Sequence, residues 1–389
     1  MTMGPGDHLY TRGGHAALTV VEHLPDGSAR DAVYNYGDTD WQDPDLVWNF
    51  LRGKLIFFVS SSGGVRETVG LYGIQQNRSI YHQRLALSDA QARDLAKRLE
   101  QAVLPANRSY VYHHLERICT TKARDLIDEV VGGAIRAQLS PRPFDRSIRQ
   151  LGHEGFEGHD LEGVAADLFI GRLHDRPIDL HYATFLPEVL RQAMQEVRVP
   201  DPAGTGKRVP LAGPPELIRK RYGAPAVSGL FTASYWVGGI AVAAVVLLGL
   251  LALLLAPARV RLAGLWLVAW SLPASVIGTL ILLFMWFSDV PEFGSNELVL
   301  VYAPLDWILL ALGLRLLRGR GWAGAFFRLY VWLRVLGVLA LLCGRVFGLA
   351  FQEPFLLALP GIFGVAILLG TLRRLPREKP YDGRLIGLA

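Results

Sequence analysis

The segment SYVYHHLERICTTKARDLIDEVVGGAIRAQL, residues 109–139, decides how the N-terminal half is read. It holds Cys119, one of two cysteines in 389 residues; the other is Cys343. From Ala123 onward the apolar positions are Ala123, Leu126, Ile127, Val130, Val131, Ala134 and Ile135. Steps of three and four make one helical stripe built for burial. Thr120 or Thr121 is expected to cap its start. Cys119 therefore falls at a helix N-terminus, where unpaired N–H groups and the positive end of the dipole favour a thiolate. The competing reading is a small buried hydrophobe, as most free cysteines are.

A thiolate nucleophile needs a base. With ten histidines in the chain, the presence of one somewhere decides nothing. His15 is more specific, because RGGHAALTV places it at a strand start behind two glycines, which let a substrate or another backbone come close. His113 and His114 are near Cys119 in sequence, but one of them would face away from it if the segment is extended. His153 and His159, in GHEGFEGHD, lack the H-E-x-x-H spacing of a zinc site and read as loop residues, so no metal is expected.

Around these residues the chain is rich in strands. Residues 15–21 read as a strand, LPDGS as a turn and ARDAVYNYG as its partner, the Asp26-Gly27 pair being a strong hairpin signal. KLIFFVS (54–60) and VRETVGLYG (65–73) read as a second hairpin across SSGG. A strand near RSIYHQRLAL leads to a helix opened by Ser88, with Gln91 completing a capping box.

Composition changes near Val227. Hydrophobic residues make up 51% of the chain and gather in long runs beyond that point, which argues for a membrane domain after a soluble one. Five spans are expected, at 229–256, 263–287, 297–314, 323–346 and 350–372. Basic segments follow the first (Arg259, Arg261), third (Arg315, Arg318, Arg320) and fifth (Arg373, Arg374, Arg377, Lys379), while SDVPEFGSNE and FQEP are acidic. The basic clusters are better explained by membrane topology than by nucleic acid, and by the positive-inside rule they are cytoplasmic. Residues 1–227 then lie outside. No signal peptide is visible at the start, so export of this part calls either for a leader upstream of Met1, the favoured reading, or for the first span to drive it. Two cysteines, one in a span, leave no disulfide framework.

Two charges fall inside the spans. Asp306 and Arg334 are placed by their positions about 12–13 Å below the outer edge of a core about 30 Å thick. Membrane charges pair or line a polar cavity, because each alone is expensive. An Asp306–Arg334 ion pair facing the bundle interior is expected.

At this point the residues resemble a known family. MGPGDHLYTRGGHAAL, VYNYGDTDW, FLRGKLIFFV, NRSIYHQRLALS, YVYHHLERICTTKARDLID and GRLHDRPIDLHYATFLPEVL are similar, in this order, to the N-terminal periplasmic domain of Lnb-type lipoprotein N-acyltransferases. The resemblance is strongest at GHAAL and CTTKARD. It implies an α+β papain-like (NlpC-like) domain in permuted order, histidine before cysteine, followed by an all-α five-helix transmembrane bundle. It maps the family's histidine to His15 and its cysteine to Cys119. Ile118 stands where relatives usually carry asparagine, and Lys122 only loosely matches a usual arginine, whereas Arg124 and Asp125 fit.

A third polar group should orient His15. A two-residue Asp26-Gly27 turn sets His15 opposite Asp38; a loop one residue longer brings Asn35 onto the same face. The resemblance favours Asn35, with Asp38 second.

The expected division is therefore a periplasmic catalytic domain at 1–200, a linker at 201–227, the spans at 228–373 and a cytoplasmic tail at 374–389. The resemblance implies a multi-pass protein of the bacterial inner membrane that moves an acyl chain from a phospholipid, through a Cys119 thioester, to the α-amine of diacylglyceryl lipoproteins. That chemistry calls for no metal or diffusible cofactor. The same pair of residues would also serve a cell-wall cysteine peptidase or amidase, or a phospholipase. A silent lipoprotein-binding domain is the alternative outside enzymes.

Overall fold

The computed structural model describes residues 1–61, 63–156, 160–223, 234–254, 260–319 and 324–374. The chain divides into two compact units, residues 1–159 with 176–232 and residues 160–175 with 233–389.

The first unit is a mixed α/β domain. Its strands are β1 (Thr2–Met3), β2 (His15–His23), β3 (Ala29–Asp38), β4 (Ile56–Ser60), β5 (Ile80–His82), β6 (Ser109–Val111), β7 (Arg198–Pro200), β8 (Arg208–Pro210) and β9 (Glu216–Arg219). Seven form one sheet in the order β6-β4-β3-β2-β1-β5-β9, and β7 pairs with β8 alone. The helices are α1 (Leu46–Leu51), α2 (Val65–Thr68), α3 (Asp89–Ala102), α4 (Cys119–Val130), α5 (Ala134–Leu139), α6 (Ile148–Gly155), α8 (Leu180–Ala183) and α9 (Pro187–Glu196), with α7 (Asp160–Phe169) belonging to the second unit.

Alternation along β2 and β3 sorts the core into two layers. Leu18, Tyr34 and Tyr36 pack on Ala123 and Ile127 of α4, whereas Ala17 and Val33 pack with Met3 and Ile80 on the other face. The β2–β3 hairpin closes with three residues between Leu24 and Ser28, Gly27 lying at φ +80°. That sets Ala17 opposite Asn35, so the longer of the two expected loops is the one present.

Several expectations need correction. Residues 65–75 are helical, not a strand: α2 runs into a π-helical turn, Val69–Gln75. The Gly64 N–H donates to Glu67 and the Val65 N–H to Asp31, which starts a helix whose Val65, Val69 and Tyr72 pack beneath the sheet. β-Branched content made the segment look extended. The stripe of 123–135 is split between α4 and α5 at Gly132-Gly133, both at positive φ, and the Asp128 carboxylate accepts from the Ile135 N–H at 2.7 Å to restart the helix. His153 lies in α6 and not in a loop, while His159 falls outside the described residues. The stretch expected to link the domains, 201–227, carries β8 and β9, the latter on the edge of the sheet beside β5.

In the second unit α10 (Ser234–Leu254), α11 (Val260–Phe287), α12 (Trp307–Leu317), α13 (Gly324–Val346) and α14 (Leu359–Arg374) pack around Trp266, Trp270, Leu309 and Leu312. Among the described residues three helices are long and apolar enough to cross a membrane, Val260–Phe287, Ala325–Val346 and Phe355–Arg373. A fourth span exists if Pro291–Leu300 and Pro304–Leu317, bent by 45°, count as one. The first expected span carries α10, within which Val242–Ala252 is the apolar stretch counted among the described residues, and residues 229–233 lie outside the described part, as do Arg259, Arg320, Arg377 and Lys379. The described residues thus support a multi-pass membrane protein with three to four such helices.

The expected third span is broken between residues 300 and 304, and the expected ion pair sits at the break. Arg334 Nε lies 2.8 Å from Asp306 Oδ1, with the two side chains 4% and 0% exposed. The same guanidinium donates from Nη1 to the Leu300 carbonyl at 2.8 Å and from Nη2 to that of Val301, and Tyr330 donates to Asp306 at 2.8 Å. Carbonyls freed by a broken helix need donors in an apolar setting, and Arg334 provides them. On α11, Gly278 admits the break: a Cβ there would stand 2.1 Å from the Tyr302 carbonyl oxygen.

Candidate active site

Cys119 is the first residue of α4, with Ile118 extended before it as the N-cap. The Ile118 side chain offers no acceptor, so the cap is made backwards: Thr121 Oγ1 accepts from the Ile118 N–H at 3.0 Å and donates to the Glu116 carbonyl at 2.9 Å. Thr121, one of the two expected caps, thus acts from the third helical position. The first turn leaves the Cys119 N–H without an intrahelical acceptor. Ala123 and Ile127 anchor the helix against the β2–β3 layer, and the thiol stays half-buried.

His15 opens β2 and is 9% exposed. Continuing the register puts Gly37 across from it, and a Cβ there would stand 2.5 Å from His15 Cε1. The missing side chain is what lets the imidazole lean toward Asn35. His15 Nε2 meets Asn35 Oδ1 at 2.6 Å, while Asn35 Nδ2 donates to Asp38 Oδ1 and to the Tyr72 hydroxyl, each at 3.3 Å. Ser60 donates to the other oxygen of Asp38. An ionised carboxylate only accepts, so Asp38 turns the amide NH₂ toward itself and the amide oxygen toward His15. The Nε2 of His15 must then carry a proton, which leaves Nδ1 for exchange with the thiol.

Both expected third residues are therefore in one chain of hydrogen bonds. Asn35 touches His15, and Asp38 holds Asn35. A shift of register between Asn35 and Asp38 in the β3–β4 pairing carries Asp38 to that side. Tyr72 is the neighbour that the sequence concealed, since its segment read as a strand. Its ring stacks on His15 with centroids 5.3 Å apart. His113 is elsewhere occupied, its Nδ1 accepting from the Glu116 N–H at 3.2 Å within a turn.

Charge couples the two reactive groups. Burial pushes the Cys119 thiol up, but the charge of and hydrogen bond to His15, with the Ala16 N–H and the Thr120 hydroxyl, bring it down to about 7. Burial pulls His15 down, and the thiolate beside it outweighs that, so its pKa ends above the usual 6.5. Around neutral pH the arrangement can hold a nucleophilic sulfur and a protonated imidazole together.

Fold and site define a membrane-spanning protein whose first unit is an α/β domain with a thiol at a helix start and an imidazole on the adjoining strand. Residues 1–153 match the family model described as the Lnb N-terminal periplasmic domain, which upholds the resemblance read from the sequence over that part of the chain. No curated protein and no solved structure matches.

Proposed function

We propose that this protein is a lipoprotein N-acyltransferase of the bacterial inner membrane, its catalytic domain papain-like in permuted order and facing the periplasm. The observation that carries the proposal is the Cys119 thiol at the start of α4, coupled to His15, whose far nitrogen is held by Asn35 at 2.6 Å, in a chain with membrane-spanning helices. A site tethered to a bilayer suits two lipid-anchored substrates better than a soluble peptide.

The thiolate attacks the ester carbonyl of a phospholipid. As the tetrahedral intermediate collapses, the C–O bond breaks and His15 gives its Nδ1 proton to the departing lysophospholipid oxygen, leaving a Cys119 thioester. The α-amine of a diacylglyceryl-cysteine lipoprotein then attacks that thioester. His15 takes the amine proton, the C–S bond breaks, and the N-acyl lipoprotein leaves with the thiolate restored. The unpaired Cys119 N–H supports the oxyanion in both steps. One protein group, His15, thus carries both protons, and an aminolysis needs no further reagent.

Mass spectrometry of lipoprotein N-termini from cells with and without the protein tests the proposal. The expected result is one additional amide-linked acyl chain when it is present. Identical N-termini in both, with free fatty acid released instead, would make the protein a phospholipase.

A further inference from the structure

A half-buried tyrosine and a buried arginine beside the candidate site have no part in the steps above. Tyr72, in the π-helical turn Val69–Gln75, stacks on His15 at 5.3 Å and 18° from parallel, and its hydroxyl accepts from Asn35 at 3.3 Å. Arg78 lies over the same Tyr72 ring, its Cζ 5.3 Å from the centroid. It is 2% exposed. Its donors reach the Gly4 carbonyl at 2.7 Å, the Gln76 side-chain oxygen at 3.2 Å and the Met3 carbonyl at 3.4 Å. All three are neutral acceptors. A buried ion without a counter-ion is costly, and a purely structural role would be filled more cheaply by an apolar residue.

We propose that Tyr72 and Arg78 are positioning residues for the Cys119–His15 pair: the ring fixes the plane of the imidazole and steadies Asn35, and the guanidinium supplies a fixed positive charge. That charge favours the thiolate and makes the imidazolium a readier proton donor. The π-helical turn matters here because its wide spacing carries Tyr72 back over β2 and β3.

The electrostatics agree with the geometry. Burial pulls Arg78 below its usual value, while Tyr72 and the Cys119 thiolate hold it up. Arg78 in turn opposes the charging of His15. The other titratable groups facing the pair are Asp38 behind Asn35, and Tyr110 and Tyr112 beside Cys119. Burial raises both tyrosines, as it raises Tyr72 to about 12, so none of the three titrates near neutrality.

The inference rests on the assignment of nucleophile and base made above, but its test needs no acyl substrate. The full-length protein in detergent, with Cys343→Ala so that one thiol remains, is alkylated with iodoacetamide from pH 5 to 10. For Arg78→Gln the midpoint of the rate profile should rise by about one unit, a roughly tenfold loss of rate at pH 6, and Arg78→Lys should recover most of it. Tyr72→Leu should lose rate at pH 6 by a similar factor, and Tyr72→Phe, which keeps the ring, by much less. A folded Arg78→Gln protein with the parent midpoint overturns the proposal. Should that variant not fold, a parent-like profile for Tyr72→Leu overturns it equally. A parent midpoint near the free-thiol value of about 8.5 sinks the nucleophile assignment together with this inference. Unchanged lipoproteins in cells, with a low midpoint retained, sink only the acyl-transfer reading.

Discussion

Each unit of this protein buries a cluster of charged and polar side chains, and the two clusters are built differently. At the break in the second unit, the Arg334 guanidinium is engaged on Nε by Asp306 and on both Nη atoms by carbonyls of residues 300 and 301. Its charge is matched by a carboxylate 2.8 Å away, and its spare donors close a gap in the backbone. Among the described residues of the first unit Arg78 meets neutral acceptors and no carboxylate, His15 engages Asn35 through one ring nitrogen only, and Cys119 is partly exposed. A balanced cluster holds a shape. An unbalanced one keeps a proton and a lone pair available for chemistry, and the surrounding fold has to bear the cost.

The largest effect that would sharpen this contrast is loss of the pair itself. Cys119→Ser and His15→Ala should each lower lipoprotein acylation by about 10³-fold or more, with membrane levels unchanged on immunoblots. A His15→Ala protein with near-normal acylation would break the comparison at its root.

Next come the balanced charges. Arg334→Met leaves Asp306 buried without a counter-ion, with only the Tyr330 hydroxyl beside it, and should cost about 3–5 kcal/mol in denaturant titrations of the detergent-solubilised protein. Asp306→Asn keeps the guanidinium on its carbonyls and should cost about 1–3 kcal/mol. Equal losses for the two would mean that the carbonyl bonds of Arg334 contribute nothing.

Gly37→Ala should displace His15 and reduce acylation by about 10²-fold, because a Cβ would stand 2.5 Å from the imidazole. Thermal unfolding should change far less than activity.

The pH profile is a finer test. Cys119 alkylation should climb through about pH 7, since a depressed thiol pKa puts the thiolate above that value and the protonated thiol below it. His15→Ala removes the cation but keeps the burial, so the midpoint should move upward.

The smallest effect is expected at Asp38. Asp38→Asn can no longer force the Asn35 amide to present its oxygen, so the His15 tautomer is less well fixed and acylation should fall about tenfold. No change would assign Asp38 to the β3–β4 bulge alone.

Much of the candidate site's placement was legible in the chain. The apolar stripe beginning at Ala123 fixed the helix and so put Cys119 at its start, because helical periodicity is a local property. His15 behind two glycines and the hairpin at Asp26-Gly27 were equally local, and so was the pairing of Asp306 with Arg334, since two charges in apolar runs have few partners. The tertiary structure decided the rest. Loop length in the hairpin could be read two ways, and only the packing of Ala17 and Val33 under the sheet selected the register that brings Asn35, not Asp38, to His15. Tyr72 was invisible because VRETVGLYG carries strand-like residues, and Asp31, 34 positions away, is what turns it into a helix. Nothing local marks Arg78; the carbonyls that receive its donors, those of Met3 and Gly4, are more than 70 positions away. Sequence reports what neighbours along the chain can do for one another, whereas a charge's value in a site depends on which distant groups surround it after folding.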